Sequence, residues 1–282
     1  VSLSQKIANA IKWDNVFDGT GFSENVKLLP YDSYYSHINV FRIGIHIHLY
    51  NFYLYNEFVK FLMDFPVQFD LIITITDSKI KKLVENLFNK NTLRNLCTLL
   101  VKLVPNRGRD VAPWLIYTKE EQHHYDLFCH VHSKVSSYVD FGNEWRQYLL
   151  NKLLNKSHVA HILNMFSQND VGMVFPDVFY KLKKLCIDNN IKQEGEFGEI
   201  YIINDLVKKI GIRRKLNRSD IFFSEGTMFW YRTDVLKPLF ELDLKIEDFE
   251  EEPIGVGGTL MHAIERIPAI ICQEQGKKVL VF

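Results

Sequence analysis

Phe69-Asp70-Leu71-Ile72-Ile73-Thr74-Ile75-Thr76 is apolar or β-branched at almost every position. A strand with one wet face alternates apolar and polar residues, and this one does not. The run predicts a strand covered on both faces, the signature of a parallel sheet sandwiched by helices. Upstream, Val40–His48 reads as another strand, followed by helical spacing from Asn51 to Asp64. Downstream, Asp77-Ser78 predicts the cap of a helix running toward Asn89. Strands at Thr98–Val104, Tyr125–His132 and Val171–Phe175 then alternate with helices from Asp110, near 143–154 and near 157–168. Alternation of this kind predicts βαβ crossovers and an α/β class: a mostly parallel central sheet flanked by helices, Rossmann-like.

The second half is less regular. It predicts helices at 179–189 and up to Ile210 around a polar turn at 193–199, then a strand at Thr227–Arg232 and a helix at Thr233–Phe240. An acidic loop, Glu247–Glu252, a helix at 257–266 and strands at Ala269–Cys272 and Val279–Phe282 complete the reading. Residues 1–37, with Ile7, Ile11 and Trp13 in a short amphipathic piece, read as an extension packed on a single domain spanning 38–282.

Lys+Arg and Asp+Glu both number 34, so no basic field argues for nucleic acid. Cys97, Cys129, Cys186 and Cys272 have no CxxC spacing, which disfavours zinc or a disulfide framework and favours a reducing, cytoplasmic setting. No apolar stretch approaches the roughly 20 residues of a membrane span. The start at Val1-Ser2 rather than Met leads to the expectation of a domain within a longer, multidomain chain.

Open α/β sheets bind ligands beyond the carboxyl ends of their strands. Those ends carry His46 and His48, Thr74 and Thr76, Asn106-Arg107-Gly108-Arg109-Asp110, and His130-Val131-His132-Ser133-Lys134. An Asn-x-Gly turn permits close backbone approach, and two arginines offer forked donors to phosphate. An N-cap aspartate with solvated arginines is the plainer reading of the same turn. His130, His132 and Lys134 share one face of an extended chain. They fit a metal site, acid–base chemistry, or a metal-free diphosphate contact; with no third ligand visible, the last is preferred. Phe223–Tyr231 couples a Gly226-Thr227 turn to aromatic rings, and His262, Glu265 and Arg266 share one helical neighbourhood.

The blocks His46–Tyr50, Pro105–Pro113, His130–Lys134, Glu144–Arg146, Gly226–Trp230 and Gly258–Arg266 together resemble the rhamnan synthesis F family, in family order from about residue 40 to 275. The resemblance implies an A-type glycosyltransferase fold and transfer of a sugar, L-rhamnose or another deoxyhexose, to a bacterial cell-surface polysaccharide or lipid-linked glycan. It implies a nucleotide-sugar donor such as dTDP-L-rhamnose, and work at the cytoplasmic face of the plasma membrane, which allows peripheral membrane association. Where that fold usually places an Asp-x-Asp metal motif, this chain has His130-Val131-His132, so cationic side chains are expected to replace the ion and no metal to be required. Gly257 stands where the family pattern has an acid, which passes the role of base to Glu251 or Glu252, or to Asp177, with His262 as a further catalytic candidate.

On this reading Asn106, Arg107 and Asp110 place the nucleotide, with His48, Thr76, His130, Gly226 and Thr227 lining the donor site. His132, Lys134 and Arg109 hold the leaving diphosphate, and Trp230 shapes the sugar pocket. Two other classes stay open. A non-catalytic carbohydrate-binding scaffold would bind glycan without nucleotide sugar. A nucleotide-sugar-modifying enzyme would want a GxGxxG after its first strand, which is missing here.

Overall fold

The computed structural model describes residues 26–28, 41–133, 139–188, 199–255 and 257–282. The expected amphipathic piece and most of the 1–37 extension, Lys134 and the 193–198 part of the polar turn lie outside the described residues.

Among the described residues eight strands form one sheet: β1 (Val26–Leu28), β2 (Ile43–His48), β3 (Phe69–Ile75), β4 (Leu96–Leu103), β5 (Leu127–His132), β6 (Val171–Phe175), β7 (Phe229–Arg232) and β8 (Lys278–Val281), in the order β1-β8-β6-β7-β5-β2-β3-β4. All pairings are parallel except those of β7, which runs antiparallel between β5 and β6. The expected α/β class and mostly parallel, helix-flanked sheet are what the chain forms.

Helices α1 (Tyr55–Met63), α2 (Lys81–Leu87), α3 (Val111–Tyr117), α4 (Gly142–Leu154), α5 (Lys156–Phe166), α6 (Tyr180–Asp188), α7 (Ile200–Lys209), α8 (Thr233–Glu241), α9 (Leu260–Arg266) and α10 (Pro268–Glu274) follow the strands. Side chains of α1, α2, α4 and α5 bury one sheet face with Ile45, Ile47, Leu71, Ile73, Val131 and Trp230. Those of α3, α7, α8, α9 and α10 bury the other with Phe128, Phe229, Tyr231 and Val279. Covering both faces is what the unbroken apolar run in β3 requires. Arg146 is buried and gives a forked pair of bonds to Glu57 at 2.9 and 3.0 Å, tying α4 to α1.

The expected strand at Ala269–Cys272 is helix α10. A four-residue apolar run does not distinguish a buried strand from a buried helix turn, and Pro268 at the first helical position is the deciding feature. The helix expected from 257 starts only at Leu260, because Gly258 has φ +80. No helix among the described residues is long and apolar enough to cross a membrane.

Gly44 of β2 lies under the Phe128 ring of β5, its register partner. A Cβ there would stand 2.6 Å from two Phe128 ring carbons and 2.7 Å from Tyr125. Gly44→Ala is therefore expected to cost about 1–3 kcal/mol of stability by overpacking, read as a lower urea midpoint at unchanged m-value.

Candidate functional site

Strands β2 and β5 are in register with His46 opposite His130 and His48 opposite His132. Because side chains alternate along a strand, all four imidazoles project from the same face, and all four are buried. His46 Nδ1 lies 3.0 Å from His130 Nδ1, and the two rings stack with centroids 5.0 Å apart. Thr74 of β3, opposite His48 in register, places its hydroxyl 2.9 Å from both His46 Nε2 and His48 Nδ1. Trp114 of α3 closes the cluster by stacking on His130 at 5.2 Å.

Asp110 stands at the N-cap position of α3 but makes no side-chain cap bond. Its carboxylate is buried against the histidines, with Oδ2 3.6 Å from the Nε2 atoms of both His130 and His132. That replaces the plain N-cap reading. Burial holds His46 and His130 below the ordinary imidazole pKa, against the opposing pull of Asp110, and lowers His48 to about 3. His130 is thus neutral near pH 7. Lys134, expected with His132 and Arg109 at the diphosphate, lies outside the described residues. Among the described residues no group of three or more His, Cys, Asp or Glu side chains is arranged to hold a metal ion. The imidazoles face one another and Thr74 instead.

The Asn106–Asp110 turn carries two successive left-handed residues, Gly108 (φ +60) and Arg109 (φ +53). A Cβ on Gly108 would meet Ala112 and Phe249 at 2.6 and 2.7 Å, so only glycine lets the acidic loop pack this closely. Arg107 donates to the Phe249 carbonyl at 2.9 Å and pairs with Glu251 at 3.2 Å. Arg109 donates to the carbonyls of Ile254 and Gly255 at 2.7 and 3.0 Å and pairs with Glu252 at 3.5 Å. Both guanidinium groups, expected on a phosphate, are committed to holding the acidic loop over the sheet edge. Asn106 is exposed and Thr76 half-buried at the same edge.

Because β7 is reversed, its amino end arrives at the edge where its neighbours end. Gly226 (φ +88) and Thr227 (φ +56) form that turn. The Gly226 carbonyl accepts from His132 Nε2 at 2.6 Å, and the Thr227 hydroxyl donates to Glu265 at 2.9 Å. The structure therefore brings His48, His130, His132, Asp110, Gly226 and Thr227 to one edge of the sheet.

Trp230 does not join them. It points to the opposite face, fully buried, donating to the Leu153 carbonyl at 3.0 Å and stacking near Phe65. Alternation gives the histidine face to Phe229 and Tyr231, so the expectation of a sugar platform at Trp230 is corrected to a core anchor. Tyr50, 53% exposed just past β2 and near His48 at 6.4 Å between centroids, is an accessible ring at this edge.

His262 is buried, with Nδ1 2.7 Å from the Thr259 hydroxyl, and burial lowers its pKa. Asp177 beyond β6 accepts from the Val178 amide at 2.7 Å and pairs with Lys183 at 2.5 Å. Two carboxylates escaped the sequence reading. Glu199 accepts from the Gly258 amide at 2.9 Å and pairs with buried Arg266 at 2.9 Å. A Cβ on Gly257 would lie 3.4 Å from its Oε2, so Glu199 sets a carboxylate beside the position where the resemblance led to the expectation of an acid. Glu225, next to the Gly226 turn, is buried, which raises its pKa to about 8. Neither has a local signal beyond an acidic residue beside glycine.

The family profile described as rhamnan synthesis protein F matches residues 26–277. Among curated proteins, the chain is 32% identical over 178 residues to a protein of Xanthomonas campestris pv. campestris strain B100 named uncharacterized protein WxcX, covering 62% of this chain and 24% of that one. The protein of the same name from strain ATCC 33913 is 31% identical over the same share. The chain thus spans about a quarter of the length of these relatives.

Glu225 gives a pH test with a fixed sign. The folded carboxyl stays protonated up to about pH 8 while an unfolded one ionises near 4.5. The folded chain binds more protons across that window, so this group makes stability fall as pH rises through it. Glu225→Gln is expected to remove that decline, checked by urea unfolding at steps from about pH 5 to about pH 8.

Proposed function

The chain belongs to the rhamnan synthesis protein F family, which gives it a role in polysaccharide synthesis, and from that premise we propose that it is a glycosyltransferase domain. It moves a sugar from a nucleotide-activated donor, L-rhamnose from dTDP-L-rhamnose in this reading, to a cell-surface polysaccharide or lipid-linked glycan at the cytoplasmic membrane face. The observation that carries the reading is the convergence of polar strand ends. His48, Thr76, Asn106, the Asp110–His132 contact and the Gly226-Thr227 turn meet at the carboxyl edge of a parallel sheet, where such sheets bind nucleotides.

In the reaction the acceptor hydroxyl oxygen attacks the anomeric carbon. The bond from that carbon to the diphosphate oxygen breaks, and the hydroxyl proton passes to a carboxylate. Asn106 and Thr76 hold the nucleoside, and Lys134, two residues past β5, meets the diphosphate without a metal ion. Tyr50 takes the sugar-facing role first given to Trp230. Glu251 is the preferred base: its side chain is 75% exposed. Glu252 and Asp177 each commit an oxygen to a backbone amide, of Ile254 and of Val178.

Calorimetry with a panel of nucleotide sugars, with Mn²⁺ or with EDTA, tests the donor. dTDP-L-rhamnose is expected to bind equally in both, and Asn106→Ala to weaken it about tenfold, the worth of one net hydrogen bond. Glu251→Gln is expected to lower kcat by about 10²- to 10⁴-fold with donor affinity retained. A chain that binds glycan but no nucleotide sugar would be a scaffold, and this reading would fall.

A further inference from the structure

We infer that the buried histidines form a one-directional hydrogen-bond relay, anchored by Asp110, that locks His48 in its Nδ1–H tautomer and offers His48 Nε2 as a hydrogen-bond acceptor to a hydroxyl or imide N–H of the bound nucleoside. The identity of that ligand rests on the donor reading above; the relay does not.

The direction follows from counting protons. An ionised carboxylate only accepts, and a neutral imidazole carries one N–H and one lone pair. His132 Nε2 faces the Gly226 carbonyl at 2.6 Å, which also only accepts, so that nitrogen bears the proton. His130 Nε2 faces Asp110 at 3.6 Å, too long for a hydrogen bond but close enough for the carboxylate charge to favour N–H there over a lone pair. Burial keeps His130, His46 and His48 neutral. With its proton on Nε2, His130 has a lone pair on Nδ1, so the 3.0 Å contact requires His46 Nδ1–H to donate. His46 Nε2 must then accept the Thr74 hydroxyl proton across 2.9 Å. That hydroxyl has no second proton, so across its other 2.9 Å contact it accepts from His48 Nδ1–H. Reversing any link would set two protons or two lone pairs against each other in a buried site.

The last lone pair falls on His48 Nε2, which has no hydrogen-bond partner among the described residues. His48 is the final residue of β2, at the sheet edge where ligands bind. Asp110, His130, His46 and Thr74 are positioning residues: they act on the ligand only through this ring.

Imidazole nitrogen-15 NMR distinguishes the two tautomers directly, with the His48 resonances assigned by their loss in His48→Gln. The wild-type protein is expected to show Nδ1 protonated and Nε2 bare at His48. Thr74→Val removes the hydroxyl at nearly equal volume and is expected to release His48 to the Nε2–H form, whereas Thr74→Ser, which keeps the hydroxyl, is expected to hold the wild-type tautomer. An Nε2–H His48 in the wild type, or an unchanged tautomer in a folded Thr74→Val protein, overturns the relay. Calorimetry with dTDP then tests the contact. Either N3-methylated or 3′-deoxy dTDP should bind the wild type about tenfold more weakly than dTDP, identifying imide or hydroxyl, and that difference should vanish in Thr74→Val. An equal penalty in both proteins overturns the His48 contact. Failure of dTDP to bind either protein, with the tautomers as expected, overturns the nucleotide reading of this edge and leaves the relay standing.

Discussion

The register between β2 and β5 is the constraint on which the candidate site depends. Opposite pairing of His46 with His130 and of His48 with His132 puts four imidazoles into one buried block. A slip of one residue would send all of one strand's histidines to the other face, among Ile45, Ile47 and Val131. Unpaired imidazole nitrogens there would each carry the cost of an unsatisfied buried polar group, about 1–3 kcal/mol. The polar block therefore specifies the register as firmly as the apolar residues beside it, and the same interactions that make the fold unique arrange the chemistry.

The reversed strand extends this logic. If β7 ran parallel to its neighbours, Gly226 and Thr227 would sit at the far edge of the sheet. Running antiparallel, it delivers a carbonyl to His132 and a hydroxyl to Glu265 on α9, joining the two halves of the chain at one place. The Asn106–Asp110 turn makes a second such join. Its arginines reach more than 140 residues along the chain to the carbonyls of the acidic loop. A glycine at 108 with no room for a Cβ sets how near that loop can come.

What the sequence made legible is what depends on short-range pattern. The nearly continuous apolar run of β3 marked both-face burial, and the polar residues ending several strands marked the edge where ligands bind. Three things were hidden because they depend on pairing across the fold. The direction of β7 leaves no trace in Phe229–Arg232 itself, and with it went the face of Trp230. Arg107 and Arg109 look like free phosphate donors until their distant carbonyl partners are known. The carboxylate of Glu199 beside Gly257 comes from another element altogether. The mistaken strand at Ala269–Cys272 is different in kind, since its apolar run suits either structure and only Pro268 spoke for the helix.

Histidines where a metal-binding acid pair would be expected change the electrostatics of the site. Two buried carboxylates without a cation repel each other and pay heavily for desolvation. Imidazoles held neutral by burial, as His46 and His130 are, avoid that cost and can satisfy one another, with the Asp110 carboxylate set against them. His46, His48 and His130, held neutral, offer no charge to an anion. An anion held at this edge would need its compensation from groups other than these three rings, which can contribute hydrogen-bond direction but no charge. That restriction follows from the burial of His46, His48 and His130.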